Sequence, residues 1–473
     1  MQNFWIYSYI LITLWAVVTI IFYGSRPTKS IAWVLASIFL PFLGPLCYYF
    51  FGVNRKKFKF FRLRHSLKRQ LYDGENREII AVESTPFDHE SGFKKLVQLI
   101  EKNSFLYASS GNKVTLLKDG EDTFEHIFSA IENAHHFVHM QYFILEQGQL
   151  FNRLCPLLKS KIEEGVEVRI IYDSFGSYKM RGKPKKQLQE IGVKIYPILP
   201  IRFGNLLYTL NYRNHRKIVI VDGKIGFTGG VNVTDKYITY DNPLGKWEDL
   251  HLMLKGPVVN SLHRIFIKDY FFASKEEGLL NKKYLPKPTE EGNSIVQIVS
   301  GGPDSPQSVI MQQYIAMMHL AEKSITIANP YFIPGIAFLE AMKIVALSGI
   351  KIKLIVPKKS DSLIAKYSMF SNFESLLSVG VEIYLRNEFS HSKVLIVDDS
   401  IASVGSGNFD YRSFEHNYET NALIYDEKLA QSIAKSLDKY CKPLAQLHFD
   451  SFKARPRYQK FLEGLAKFMS PLL

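Results

Sequence analysis

The stretch HSKVLIVDD, residues 391–399, joins two things that do not ordinarily go together. Val394 to Val397 form a short unbroken apolar run, as a buried strand does. The run is entered through His391 and Lys393, side chains that resist burial unless a partner meets them. The same arrangement stands earlier in the chain. HRKIVIVDGKIGFTGGVNVTD (215–235) aligns without a gap with HSKVLIVDDSIASVGSGNFDY (391–411). His215 matches His391, Lys217 matches Lys393, Asp222 matches Asp398, Gly229 matches Gly405 and Asn232 matches Asn408, all at one offset of 176 residues. Side chains alternate between the faces of a strand. His391 and Lys393 therefore share a face and Asp398 falls on the other, and the first copy has the same parity. Histidine and lysine reach one ligand together, and the aspartate serves the scaffold.

The duplication extends upstream. HHFVHMQYFI (from His135) resembles KSITIANPYFI (from Lys323), EEGVEVRIIYD (from Glu163) resembles LSGIKIKLIVP (from Leu347), and GVKIYPI (from Gly192) resembles GVEIYLR (from Gly380). Each copy reads as alternating strands and helices that end in the His-Lys strand. That pattern predicts an α/β fold with mixed sheets covered on both faces. The expected layout is two α/β/α repeats, 106–290 and 291–473, packed face to face about a pseudo-two-fold axis.

The N-terminal part is different. FWIYSYILITLWAVVTIIFY (4–23) and IAWVLASIFLPFLGPLCYYFFGV (31–53) carry no charge, and each is long enough to cross a hydrocarbon layer of about 30 Å as a helix. Residues 1–54 are expected to form a transmembrane hairpin, with Pro41, Gly44 and Pro45 bending or breaking its second helix. NRKKFKFFRLRHSLKR follows, within a juxtamembrane linker expected over 55–105. The excess of basic residues there places the rest of the chain in the cytoplasm of a multi-pass protein. The same run, interleaved with Phe58, Phe60 and Phe61, suits anionic headgroups. The chain of 473 residues has a net charge of +14, which fits an anionic partner. Its three cysteines, Cys47, Cys155 and Cys441, are too few and too far apart for a disulfide framework and fit a reducing compartment.

Two imidazoles, two ammonium groups and two amides suit phosphodiester transfer. A neutral histidine attacks phosphorus and a protonated one supplies the leaving oxygen's proton. Lys217 and Lys393 neutralise the non-bridging oxygens, with Asn232 and Asn408 bonding to them from glycine-rich turns. Neither a metal site nor a cofactor is expected. His135, His136 and His139 cluster near a strand but lack the carboxylate or cysteine partners of a zinc site.

With H-x-K-x4-D present twice, the chain resembles the phospholipase D superfamily and, within it, the bacterial cardiolipin synthases. The stretches NYRNHRKIVIVDG, FTGGVNVTDKY, WEDLHLMLKGP, SGGPDSP, NPYFIPG, HSKVLIVD and GSGNFDYRSFEHNYE carry the resemblance, as do the hairpin and the C-terminal RPRYQKFLEGLAKFMSPLL. It implies His215, Lys217, Asp222, His391, Lys393 and Asp398 as the motif residues, with His215 as nucleophile and His391 as acid/base. The reverse assignment stays open, since both histidines carry one motif. It also implies an acidic residue after each motif that orients a histidine. The matching positions are Asp249 in WED, 34 residues after His215, and Glu419 in NYE, 28 residues after His391. The nearer histidine is the expected partner of each. His251 in WEDLH follows the family pattern.

The implied reaction joins two phosphatidylglycerol molecules into cardiolipin and glycerol through a phosphohistidine, with no metal. A lipid hydrolase, another phosphatidyltransferase and a non-catalytic membrane scaffold are the alternatives, and self-association into a homo-oligomer stays open. Membrane spans argue against a nucleic-acid target. The apolar segment 196–215 is read as a dry lip beside the site or as core. The helix from Tyr458, with apolar residues on one face, lies on the membrane or packs on the second repeat.

Overall fold

The computed structural model describes residues 2–23, 27–49, 92–200 and 211–470. The basic run, the end of the second apolar segment and half of the proposed lip, residues 201–210, lie outside them. The chain divides into two compact units, Met1–Arg77 with Ile201–Tyr212, and Glu78–Pro200 with Arg213–Leu473.

In the first unit the helix Gln2–Tyr23 has 22 residues. That is about 33 Å at 1.5 Å per residue, enough to cross a bilayer core. Among the described residues it is the one helix long and apolar enough to do so. The second apolar run forms Pro27–Phe39 and, after a break, Leu43–Cys47. The break falls at Leu40–Phe42, around Pro41, whereas Gly44 and Pro45 lie within the short helix that follows. A Cβ on Gly44 would lie 2.0 Å from the carbonyl oxygen of Ala36, so only glycine admits this close return. Ala16, Ile20 and Tyr48 are buried between the helices, whereas Phe4, Trp5, Leu11 and Phe22 point outward.

The second unit holds both repeats. The first has strands β1 (Ser109–Leu117), β2 (Phe137–Tyr142), β3 (Glu167–Asp173), β4 (Lys194–Ile198), β5 (Arg213–Asn214), β6 (Ile218–Val221), β7 (Ile225–Gly229) and β8 (His251–Lys255). The second has β9 (Ser294–Gly301), β10 (Ser324–Ala328), β11 (Lys351–Pro357), β12 (Glu382–Arg386), β13 (Val394–Val397), β14 (Ile401–Gly405) and β15 (Asn417–Tyr425). Their order across the sheet is β12-β11-β10-β13-β14-β15-β9-β1-β8-β7-β6-β2-β3-β4. The two halves of that order mirror each other, as a pseudo-two-fold demands. In each half the three outer strands are parallel and the rest antiparallel, the mixed sheet that the sequence predicts.

Alternation on the His-Lys strands sorts the core. Ile218 and Ile220 of β6 enter one apolar cluster with Val394 and Ile396 of β13, so the repeats share a core across their facing sides. The helices Val258–Ser274 and Glu427–Asp438 fill it. Val219 and Val221 face a cluster that belongs chiefly to the first repeat, and Leu395 and Val397 one that belongs to the second. The sheets also join edge to edge, where β1 pairs with β9, a contact that the sequence does not announce. The end of the expected linker forms the helix Lys94–Ser104, whose Leu96 and Ile100 lie in the second repeat's cluster.

The motif aspartates, which the family resemblance names beside the histidines and lysines, do not face the site; they hold the scaffold position that strand parity gives them. Asp222 accepts the backbone N–H groups of His135, His136 and Phe137, each at 2.8 Å. Asp398 accepts those of Glu322, Lys323 and Ser324 at 2.7–2.8 Å. Each sits in the turn beyond the end of its His-Lys strand and closes the start of the neighbouring one. A carboxylate with three such donors is a strong acceptor, and its loss leaves donors unmatched. Asp398→Ala is expected to cost about 3 kcal/mol in denaturant unfolding of the solubilised protein, with the folded fraction still competent in turnover.

Candidate active site

Each His-Lys pair sits just before its strand, where the chain crosses to the other repeat. β5 pairs in parallel with the start of β15, Arg213 opposite Asn417 and Asn214 opposite Tyr418. The N–H of His215 then donates to the carbonyl of Tyr418 at 2.9 Å. At the symmetric place Glu248 bridges to Ser390, and the N–H of His391 donates to the carbonyl of Glu248 at 2.7 Å. Both histidines are thus held by the backbone of the opposite repeat.

The carboxylates cross over in the same way. Nδ1 of His215 lies 3.0 Å from both carboxylate oxygens of Glu419. Nδ1 of His391 lies 2.8 Å from Oδ2 of Asp249. This overturns the expected pairing within each copy. The reason is the backbone exchange: the segments that carry Glu419 and Asp249 run beside the other repeat's histidine, not their own.

Glu419 is fully buried and accepts further bonds from Ser406 Oγ at 2.6 Å and Ser413 Oγ at 2.8 Å. Burial raises its pKa, but the His215 pair, Lys217 and Ser406 outweigh that and hold it below the usual carboxylate value. Burial pulls the His215 pKa down to about 4; Glu419 opposes this, and Lys217 and Lys393 add to it. A neutral ring whose Nδ1–H donates to Glu419 carries its lone pair on Nε2. Phe143 packs edge-on against the ring, with centroids 4.8 Å apart.

His391 has a different setting. Besides Asp249, its Nδ1 has Tyr237 Oη at 3.0 Å and Lys393 Nζ at 2.9 Å. Trp247 lies against it with centroids 5.2 Å apart, and Tyr331 is edge-on at 6.3 Å. Burial pushes Asp249 up to about 7, against the pull of Lys393. A Cβ on Gly230 would come within 2.3 Å of both Asp249 oxygens, so the glycine of TGGVN makes room for the protein's own carboxylate.

Lys217 and Lys393 are buried, and each Nζ donates to the carbonyl of its histidine, at 2.6 Å for Lys217. Burial lowers both, Lys393 to about 8. Burial first, then Lys393, Lys217 and His215, lowers the His391 pKa as well, so the two His-Lys pairs act on each other electrostatically. An anion placed among them would favour their charged forms. Asn232 accepts from the Ile144 N–H at 3.1 Å and stands beside Tyr237; the N–H of Asn408 donates to Ser413 at 3.1 Å. Each asparagine is thus tied to a group that touches a histidine or its carboxylate. His251 is buried in β8; burial, then Lys217, lowers its pKa to about 3, and neither ring nitrogen has a hydrogen-bond partner among the described residues.

The sequence reading missed Arg216, the middle residue of HRK. Its guanidinium binds Asp269 at 2.5 Å, Ser300 Oγ at 2.6 Å and the carbonyl of Gly301 at 3.1 Å, so it clamps the first repeat's motif to the second. The only signal was the contrast with Ser392 at the matching position. It also missed Tyr237, Ser406 and Ser413, which no motif spacing marks. The histidine cluster divides: His139 is buried at 2.7 Å from His263, His135 and His136 give their backbone N–H groups to Asp222, and no group of possible metal ligands occurs among the described residues.

A family model described as "Cardiolipin synthase, PLD-like domain" matches residues 127–269 and 314–441, one segment in each repeat. The chain belongs to the cardiolipin synthase family. A model described as "Phospholipase_D-nuclease N-terminal" matches 11–52. Cardiolipin synthase of Alkalihalophilus pseudofirmus is 36% identical over 464 residues, covering 96% of this chain and 91% of that one. Cardiolipin synthase 2 of Bacillus anthracis is 36% identical over 458 residues, covering 96% and 89%. In fold the chain is similar to phosphatidylserine synthase of Haemophilus influenzae, with a TM-score of 0.60 at 12% identity, over 81% of this chain and 100% of that one. The family resemblance read from the motifs is therefore confirmed, and with it the class of phosphatidyltransferases.

Two expectations follow. Glu419→Gln should change the reactivity of His215 towards diethylpyrocarbonate, mapped by peptide mass spectrometry, and leave His391 nearly unchanged; Asp249→Asn should do the reverse. Pairing within each repeat requires the opposite pattern. The raised pKa of Asp249 also has a sign: its contribution to stability is present below about 4 and is lost as pH rises through about 7. Asp249→Asn should therefore gain stability relative to the parent between pH 4 and pH 8, by an amount on the order of a few kcal/mol in denaturant melts.

Proposed function

We propose that this chain forms cardiolipin from two phosphatidylglycerol molecules and releases glycerol. The observation that carries the proposal is the crossed pair of histidine–carboxylate couples around two buried lysines. Neutral His215, with Nε2 unprotonated and Glu419 ionised behind it, attacks phosphorus. His391 gives a proton to the departing glycerol oxygen and later takes one from the hydroxyl of the second lipid. Lys217 and Lys393 offset charge on the non-bridging oxygens, with Asn232 and Asn408 as further donors. Glu419, held ionised, works against the burial that lowers His215, which supports its role as nucleophile, while Asp249, pushed up by burial, is the weaker anion behind His391, which supports the proton-exchanging role there.

The same reading extends to topology. We infer a multi-pass N-terminal hairpin with the catalytic unit on the cytoplasmic side of a bacterial plasma membrane, supported by the basic flank after the second apolar segment. A membrane site gives donor and acceptor lipid a shared surface, and water must be kept from the phosphohistidine.

The test is purified protein in phosphatidylglycerol vesicles with EDTA present. Cardiolipin and glycerol in equal amounts are expected. Phosphatidic acid alone identifies a hydrolase, and no turnover identifies a scaffold. His215→Ala and His391→Ala should each lower turnover by about a thousandfold or more, since the two act as a unit. In His391→Ala the phosphatidyl adduct, where it forms, should map to His215.

A further inference from the structure

The C-terminal helix Arg457–Met469 is mounted with its apolar side outward. Its inner side is held by polar contacts around a small apolar patch of Ala466 and half-buried Leu462. Glu463 is buried there and takes a salt bridge from Arg455 at 2.6 Å, while Arg455 also reaches Glu374 at 2.6 Å. Ser470, just past the helix, bonds Ser368 at 2.5 Å and so docks it on the helix Leu363–Phe370. The outer side presents Tyr458, Phe461, Leu465 and Phe468, with Phe461 71% and Phe468 83% exposed. Their spacing of three and four residues makes one stripe along the helix. The neighbouring helix begins with Leu363 and Ile364, also exposed, at 70% and 48%. A soluble protein buries such a stripe. Here two ion pairs hold it in the open.

We propose that this face is a membrane-contact surface of the catalytic unit, seated on an anionic bilayer beside the mouth of the active site. The charge pattern selects that occupant. Glu463 is the sole acid of the helix and is turned inward, so Arg457 and Lys467 leave its exposed surface apolar and cationic. A second copy of the face, or the basic run at 55–69, would meet it with like charge. An anionic lipid surface meets the cations and takes up the apolar stripe. The placement also fits a lipid substrate. Asp361, two residues before Leu363, accepts the hydroxyl of Tyr331 at 2.7 Å, and Tyr331 stands edge-on to His391. The exposed start of that helix thus adjoins the wall of the site. This rests on the lipid-transferase reading and adds to it that the catalytic unit touches the bilayer independently of the N-terminal helix.

The test uses the full chain with Cys47→Ser, Cys155→Ala and Cys441→Ser, and a nitrobenzoxadiazole label at Phe468→Cys or, as control, at Lys428→Cys. Lys428 is exposed just past the end of β15 remote from Glu419. Both proteins are reconstituted into vesicles of phosphatidylglycerol and phosphatidylcholine containing doxyl-labelled lipid. The label at 468 should be quenched at least about threefold more than the label at 428 and emit further to the blue. Equal quenching at the two sites overturns the proposal. So does shielding at 468 that persists in detergent without lipid, whether it grows with protein concentration, as a second copy requires, or does not, as a segment of the same chain requires. The label needs no turnover, so quenching in a protein that makes no cardiolipin would remove the transferase reading and leave the contact standing.

Discussion

Glu419 is closed off from water, ringed by two serine hydroxyls, and bonded to a histidine 204 residues earlier in the chain. A buried carboxylate is costly unless its acceptors are filled, and nearly everything around it serves that need. Ser406 and Ser413 come from the loop and helix after β14; His215 comes from the other repeat. The position of the first histidine is therefore tied to the second repeat's folding, and through Asp249 the second histidine is tied to the first. Arg216 reinforces the tie, since its guanidinium bridges Asp269 on one side and Ser300 with Gly301 on the other.

The two halves are alike in backbone and unlike in electrostatics. His215 meets an ionised carboxylate and a phenyl edge. His391 meets a carboxylate near neutrality, a tyrosine hydroxyl, a lysine and an indole. Two equivalent imidazoles would compete for one role. The proposed division into nucleophile and acid/base rests on these unequal surroundings, as paired titratable groups in unlike settings can act as donor and acceptor of one proton.

Much of this was legible in the sequence because the repeat is gapless where it matters. The strands, the pseudo-two-fold, the scaffold side of Asp222 and Asp398 and the convergence of His215, Lys217, His391 and Lys393 follow from period, parity and offset. The partner of each carboxylate did not. Spacing along the chain measures distance within a repeat, whereas the exchange at β5 and β15 is a tertiary pairing of two residues that leaves no periodic mark. The edge contact of β1 with β9 and the helix Lys94–Ser104 escaped for the same reason. Arg216 escaped because attention to what the copies share passes over a position where they differ. The outward stripe of the C-terminal helix was visible as a pattern, but its direction was not, since only the inward turn of Glu463 sets it.

The crossed couples also bear on how such a molecule can be assembled or divided. A chain ending after the first repeat would keep Asp249 without the histidine it serves and His215 without its carboxylate. Two such halves would complete one centre only by pairing with each other. The covalent duplication makes that pairing intramolecular, and it allows the two halves to carry different carboxylates, as Glu419 and Asp249 do.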